Sequence, residues 1–286
     1  MNNSASDDPG IRLLLADVDG TLITSAKALA PSTIRVTRTL KERGIALAIT
    51  SSRPPRGLLQ FIEALEIDTP TGSFNGGAFV KPDLTVIAQS VLPAEPAERV
   101  VAMMRGQGLD VWTYSGDEWY VQDPEGPHVA REQRTVQFAP TVIDSYDQVI
   151  DRVVKIVGVT DDSVLMAEAE RVTRELFGAA VSASRSQTYY LDVTHPDANK
   201  GNVAAWLSTL LDIPLEHIAT IGDGPNDILM FRRSGLSIAM GNASPEVKAE
   251  AVVVTSSNDE DGFARAVETH ILSKRVARGD DASASV

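Results

Sequence analysis

The residues in this chain best suited to chemistry are acids that stand just after apolar runs. Asp17 and Asp19 close the strand-like run in "LLLADVDGTLIT", and Asp223 and Asp227 do the same in "HIATIGDGPND". In an extended chain, residues two apart project to the same side, so the carboxylates of Asp17 and Asp19 can face one site. Two bare carboxylates that close repel each other unless a cation, or a proton on one of them, relieves the charge. The first stretch therefore asks for a metal. Two further pieces offer hydroxyls and a cation, namely "TSSR" with Ser51 and Ser52, and Lys200 in "ANKGN". Taken singly, each has a bland reading: an acidic turn after a strand is often a solvated loop, and a lysine in the first turn of a helix is usually just exposed. Together they gather acids, hydroxyls and one cation.

The elements that must position them follow a simple rhythm. Leu13, Leu14 and Leu15 read as a strand covered on both faces, the kind found inside parallel sheets. Gly20 ends it, because glycine lets the backbone turn sharply. Pro31 and Ser32 open a helix over about 31–43 that Gly44 closes. A second buried strand, "IALAIT", leads to "SSRPP" and a helix across "GLLQFIEAL", and "GSFNGGAFV" is a short strand broken by glycines. The pattern resumes at about 198 with the helix "KGNVAAWLSTLLD", the strand "HIATIGD", the helix "NDILMFRRS", the strand "LSIAMG", the helix "PEVKAEA" and the strand "VVVT". This alternation predicts an α/β fold with a doubly wound, Rossmann-like parallel sheet, in which ligands bind at the carboxyl ends of the strands. All the pieces named above fall at such ends.

Between about 83 and 192 the rhythm breaks. "TVIAQSV", "DVWTYS", "EWYVQ" and "TYYLDV" are short, partly alternating and aromatic-rich, with helical patches at about 94–106 and 163–177. That predicts an inserted α+β unit with antiparallel strands, residues 83–192, set into a core formed by 1–82 and 193–286. An insertion of this kind can serve as a lid over the site.

Composition narrows the function. With 26 basic and 39 acidic residues the formal charge is −13, and no basic run interrupts it, so nucleic acid is not an expected partner. The chain has no cysteine, which excludes disulfides and thiolate-bound zinc and fits a reducing cytoplasm. No apolar run approaches the length of a membrane span. The opening "MNNSASDDPG" is polar and unlike a signal peptide; it and the final "ARGDDASASV" read as flexible ends.

The four pieces "DVDGT", "TSSR", Lys200 and "GDGPND", in this order, resemble the haloacid dehalogenase superfamily of phosphotransferases, and the likeness spans nearly the whole chain. "NGGAFV", the inserted aromatic-rich unit and "YYLDVTHPDANKG" further resemble its Cof-type branch, mostly phosphatases of sugar phosphates and other small phosphorylated metabolites. The resemblance implies that Asp17 is the nucleophile that becomes an aspartyl phosphate and that Asp19 is the acid and base. It implies Mg²⁺ held by Asp17, the backbone carbonyl of Asp19 and Asp223, with Asp227 beside the metal or bracing Lys200. Ser51 and Lys200 would grip the phosphoryl group. Phosphate or substrate contacts fall to Val18, Ser52, Arg53, Asn75, Gly76 and Asn226. Charge counting agrees: ionised Asp17 and Asp223 with a phosphate dianion carry −4, and Mg²⁺ with Lys200 supplies +3, leaving about one charge for backbone N–H donors. All-oxygen ligands suit magnesium rather than zinc.

The second motif departs from the branch's usual Ala-Thr-Gly-Arg, with Ser51 keeping the hydroxyl and Ser52 standing where glycine is usual. Arg53 has two readings, a substrate contact or a surface salt bridge. The histidines 128, 195, 217 and 270 show no metal-ligand spacing and read as structural or exposed. "NDEDG" at 258–262 reads as a solvated turn. Trp112, Tyr114, Trp119 and Tyr120 read as the insertion's own core, whereas Arg185 and Tyr189 stay open as substrate contacts. A phosphomutase is the competing enzyme. The second acid of DxD, the size of the insertion and the length count against a phospho-accepting receiver, and a non-catalytic binding protein would be expected to lose one of Asp17, Asp19, Lys200 and Asp223. Physiological substrate and oligomeric state are not encoded in these features.

Overall fold

The computed structural model describes residues 10–273, so the polar ends lie outside the described residues. In chain order the first strands are β1 (Leu13–Asp17), β2 (Ala46–Thr50), β3 (Thr71–Ser73), β4 (Ala78–Val80) and β5 (Val86–Gln89). They are followed by β6 (Asp110–Ser115), β7 (Glu118–Val121), β8 (Thr141–Val142), β9 (Lys155–Val159), β10 (Ser182–Gln187) and β11 (Tyr190–Thr194). The last are β12 (Ile218–Gly222), β13 (Leu236–Ala239) and β14 (Val253–Val254). One sheet runs β14-β13-β12-β1-β2-β3-β4-β5, and a second runs β10-β11-β9-β6-β7-β8. The first is parallel from β14 through β3, and β4 and β5 close it as antiparallel neighbours.

Burial explains why β1 sits in the middle. Leu14 and Ala16 pack on one face with Val36 and Leu40 of the helix Pro31–Glu42 and with Phe263. Leu13 and Leu15 pack on the other with Val203, Ala204 and Leu207 of the helix Lys200–Leu211. A strand whose every side chain is buried gives no polar alternation, which is the doubly wound signature read from its sequence. Each fully buried leucine contributes about 1.5–3 kcal/mol relative to exposure.

The second sheet is amphipathic in another way. Val111, Ile156, Leu191 and Val193 pack with the helices Ala94–Gly106 and Ser163–Phe177. On the opposite face Trp112, Tyr114, Trp119, Val157 and Tyr190 pack with Phe74 and Ala78 from the loop and strand of the first sheet. Of the aromatics expected to form the insertion's own core, Trp112, Tyr114 and Trp119 are buried in this layer shared with the first sheet, with Trp112 and Trp119 edge-to-face at 5.2 Å, whereas Tyr120 is only partly buried on the helix side.

Some expected boundaries move. The sequence pattern places "TVIAQSV" in the inserted unit, but β5 pairs with β4 in the first sheet. The connection is a hairpin closed by Lys81 N–H to the Thr85 carbonyl at 2.9 Å, and so short a link makes its two strands neighbours. "NDILMFRRS" is a 3₁₀ turn, Pro225–Asp227, followed by one helical turn, Ile228–Phe231. No helix among the described residues is long and apolar enough to cross a membrane.

Candidate active site

Parallel pairing brings the carboxyl ends of three strands together. Asp17 is in register with Thr50 of β2, and Ala16 with Ile221 of β12, so the loops carrying Asp17, Ser51 and Asp223 start side by side. Their packing is close. Gly20 has φ +83°, and a Cβ there would stand 2.3 Å from Asp223 Oδ2. Only glycine accepts both the conformation and the approach. A Cβ on Gly222 would stand 2.4 Å from Asp227 Cγ, which explains the glycine ahead of Asp223 in the same way.

Lys200 is the hub. Its ammonium, fully buried, donates to Asp17 Oδ1 at 2.5 Å and to Asp227 Oδ1 at 2.6 Å. Asn199 caps its helix by accepting the Asn202 N–H at 2.9 Å, which fixes where the lysine starts. Asp227 Oδ2 accepts the N–H groups of Asp223 and Gly224, each at 2.9 Å. Asp227 therefore braces both the lysine and the loop that carries Asp223. Asp223 accepts from Thr21 Oγ1 at 3.3 Å and from Asn242 Nδ2 at 3.0 Å.

Asp17, Asp223 and Asp227 each offer a carboxylate oxygen within 4.8 Å of the others, a group able to hold a metal ion. Their electrostatics show the need for one. Burial pushes the Asp17 carboxyl well above its usual range, against the pull of Lys200 and with the charges of Asp227 and Asp223 adding to the rise. Burial and the charge of Asp227 push Asp223 up to about 6. Burial alone would lower the Lys200 ammonium, but Asp17 and Asp227 outweigh it and raise it, so it stays charged. One ammonium among three crowded acids leaves them short of positive charge, and an all-oxygen donor set of this kind fits a hard divalent cation.

Asp19 has a different environment. Arg53 grips it in a two-point pair, Nε to Oδ2 and Nη2 to Oδ1, both at 2.7 Å, and Lys27 Nζ reaches Oδ1 at 2.7 Å. Burial pushes its carboxyl up, but the hydrogen bonds and charges of Arg53 and Lys27 prevail and hold it at about 2. Arg53 is thus not a surface ion pair, and it lines the cleft beside Asp19. It is buried, and its Nη1 also donates to the Thr135 carbonyl of the inserted unit at 2.8 Å. The two acids of the opening motif have separate cations, Lys200 for one and Arg53 with Lys27 for the other.

The remaining expected residues are placed as follows. Ser51 is buried, and its Oγ accepts the Arg53 N–H at 3.2 Å. The Ser52 carbonyl accepts from Lys155 Nζ at 3.1 Å, so the residue in place of glycine is a junction with the second sheet. Asn75, with φ 58°, accepts from Asn226 Nδ2 at 3.0 Å, which joins two of the expected phosphate contacts. Gly76 lies against Val203 and the Asn199 carbonyl. The Val18 side chain lies in the core, and its carbonyl accepts from Leu22 and Ile23, leaving only its N–H for a ligand.

Sequence reading missed Thr21, Lys27 and Asn242. Asn242 Nδ2 also donates to the Gly20 carbonyl at 2.9 Å, and nothing in "AMGNAS" marks that role. "NDEDG" is more than a solvated turn: Asn258 is buried and donates to the Ile23 carbonyl at 2.9 Å, and Asp259 accepts from Ser25, tying down the loop after β1. His128 stacks on Tyr189 at 4.2 Å and pairs with Asp161, a structural role. Arg185 donates to Glu170 at 2.6 Å.

Residues 14–267 match the family model of haloacid dehalogenase-like hydrolases, and the chain belongs to that family. It is 27% identical over 274 residues to the pyridoxal phosphate phosphatase of Escherichia coli K12, covering 91% of this chain and 99% of that one. It is 22% identical over 267 residues to a 5-amino-6-(5-phospho-D-ribitylamino)uracil phosphatase of Bacillus subtilis, covering 93% and 98%. A haloacid dehalogenase-like hydrolase from Bacteroides thetaiotaomicron superposes with a TM-score of 0.82 at 28% identity, over 90% of this chain and 98% of that one. The protein is an enzyme of the phosphoric monoester hydrolase class.

Proposed function

We propose that this enzyme is a magnesium-dependent phosphatase of small phosphorylated metabolites, sugar phosphates foremost, working through an aspartyl phosphate on Asp17. The observation that carries the reading is Lys200, buried between Asp17 and Asp227 with Asp223 alongside. In it, an Asp17 oxygen bonds to phosphorus as the ester P–O bond breaks, and the leaving oxygen takes a proton. Water then attacks the aspartyl phosphate and gives a proton to Asp19, releasing inorganic phosphate. Magnesium on Asp17, Asp223 and the Asp19 carbonyl would supply the charge that lets a carboxylate approach a phosphate dianion. Asp227, tied up with Lys200 and two N–H groups, fits the bracing role better than a ligand role.

The pair with Arg53 keeps Asp19 ionised, which suits the base of the second step. To act as the acid of the first step, its carboxyl must be let go by Arg53 and Lys27 when substrate arrives. The proposed partners are small molecules rather than nucleic acid, given the charge of −13, and the proposed compartment is the cytoplasm, on the absence of cysteine.

The test is a screen of phosphorylated metabolites for released phosphate, with and without chelator. Magnesium is expected to restore what chelation removes, and Asp17→Asn is expected to abolish turnover with an unchanged circular dichroism spectrum. Substantial phosphate release by that variant would rule out the covalent route. Isomerised sugar phosphate without free phosphate would point to a mutase instead.

A further inference from the structure

Two cavities flank the catalytic groups, and the wider one has no role so far. It measures about 340 Å³ and lies between Asn75, Lys200 and Asn226 on one side and strand β10 on the other. The cleft over Asp19 and Arg53 measures only about 70 Å³. Small-molecule pockets usually run to about 300–1,000 Å³, so of the two only the wider one suits an organic leaving group.

The wall that β10 gives this cavity is polar. Ala183 packs into the cluster on the helix side of its sheet, which turns Ser182 and Ser184 to the opposite face, toward the catalytic loops. Neither hydroxyl has a hydrogen-bond partner among the described residues. Ser184 is in register with Asp192 of β11, so the two share a face. Asp192 is only 2% exposed, and neither carboxylate oxygen receives a well-directed hydrogen bond, although Lys155 Nζ lies 2.8 Å from Oδ2.

We propose that Ser182 and Ser184 read the leaving group, and that this group is a neutral sugar or polyol with several hydroxyls. The inference rests on the phosphatase reading and adds the residues that select its substrate. Substrate hydroxyls can both donate to and accept from the two serines. A second phosphate suits the cavity poorly. Its guanidiniums, Arg174 and Arg185, share the one carboxylate of Glu170 at 2.7 and 2.6 Å, leaving a net charge of one and no uncommitted cation.

The test compares wild type, Ser184→Val and Ser184→Thr on glucose 6-phosphate, ribose 5-phosphate, sorbitol 6-phosphate, fructose 1,6-bisphosphate and p-nitrophenyl phosphate, at saturating magnesium. For the best monophosphorylated sugar or polyol, Ser184→Val is expected to raise KM about tenfold, the loss of roughly one hydrogen bond, with kcat little changed. The aryl phosphate should respond to neither variant, threonine should restore most of the sugar KM, and the bisphosphate should be the poorest sugar substrate. If valine prevents folding, Ser182→Ala with Ser184→Ala makes the same comparison. Equal effects on sugar and aryl phosphates, or none on either, would overturn the inference. So would a wild type that hydrolyses the aryl phosphate but no sugar or polyol phosphate. A wild type that releases phosphate from no monoester would instead sink the phosphatase reading, and this inference with it.

Discussion

Two lysines are buried against aspartates in the described residues, one in each sheet region, and their surroundings differ. Lys200 is held by Asp17 and Asp227 at 2.5 and 2.6 Å, and the second oxygen of Asp227 is filled by two backbone N–H groups. Lys155 lies 2.8 Å from Asp192 and 3.1 Å from the Ser52 carbonyl, yet both Asp192 oxygens lack a directed donor. The first network is closed on itself, as a site must be when it performs one fixed step on every substrate. The second is less complete, and through Lys155 it borders the narrow cleft over Asp19 and Arg53. The preorganised network belongs to the chemistry.

The largest expected effect breaks this comparison directly. Lys200→Met removes the cation beside the nucleophile and is expected to lower kcat by about 10²–10³-fold or more, as loss of a preorganised charge does. Lys155→Met should act mainly on KM for the physiological class of substrate, with kcat on p-nitrophenyl phosphate largely kept. Equal kcat losses in steady-state assays of the two variants would show that both networks serve the chemical step.

The next effect sharpens the division inside the acid cluster. Asp227→Ala leaves Lys200 with Asp17 alone and strands two N–H groups, and breaking a buried pair costs up to about 3–5 kcal/mol. Asp223→Ala removes an acid whose carboxyl is already pushed up by burial and by Asp227, so its cost in stability should be smaller. Magnesium affinity should fall in the opposite order, most for Asp223→Ala. Urea unfolding and magnesium titration on the same two variants check both orders, and a single shared order would reverse the proposed roles.

Much of this was legible beforehand because β1 and β12 are buried on both faces and carry their acids at the ends, where a parallel sheet puts its crevice. The Asp19–Arg53 pair was not, because the partners are 34 residues apart and a side chain that can reach several groups shows no pattern. Strand β5 was misassigned because all four of its residues are exposed, so alternation carried no signal about which sheet it joins. Lys155 was invisible for a related reason. One lysine at the edge of "KIVGV" reads as an exposed end, and only the fold over Ser52 buries it.

The smallest effect concerns Glu132, an acid of the second region that borders the narrow cleft over Asp19. Burial pushes its carboxyl above the usual range, while Lys155, the Tyr114 hydroxyl at 3.1 Å and Arg53 pull it down and Asp192 adds to the rise. Its folded form thus holds a proton more tightly than the unfolded chain does. The stability from that proton is fully present below the ordinary carboxyl range and is lost as pH rises through the higher folded value. Glu132→Gln keeps the shape without the titration, so it should gain stability relative to wild type as pH climbs from 4 toward neutrality. In the first region the raised acids should respond to magnesium, because a cation among them favours their charged forms. The difference in melting temperature between Glu132→Gln and wild type, followed across pH, should therefore be the same in chelator and in magnesium. A difference that changes with magnesium would mean that the two regions are electrostatically coupled, and that the network over Ser52 belongs to the chemistry after all.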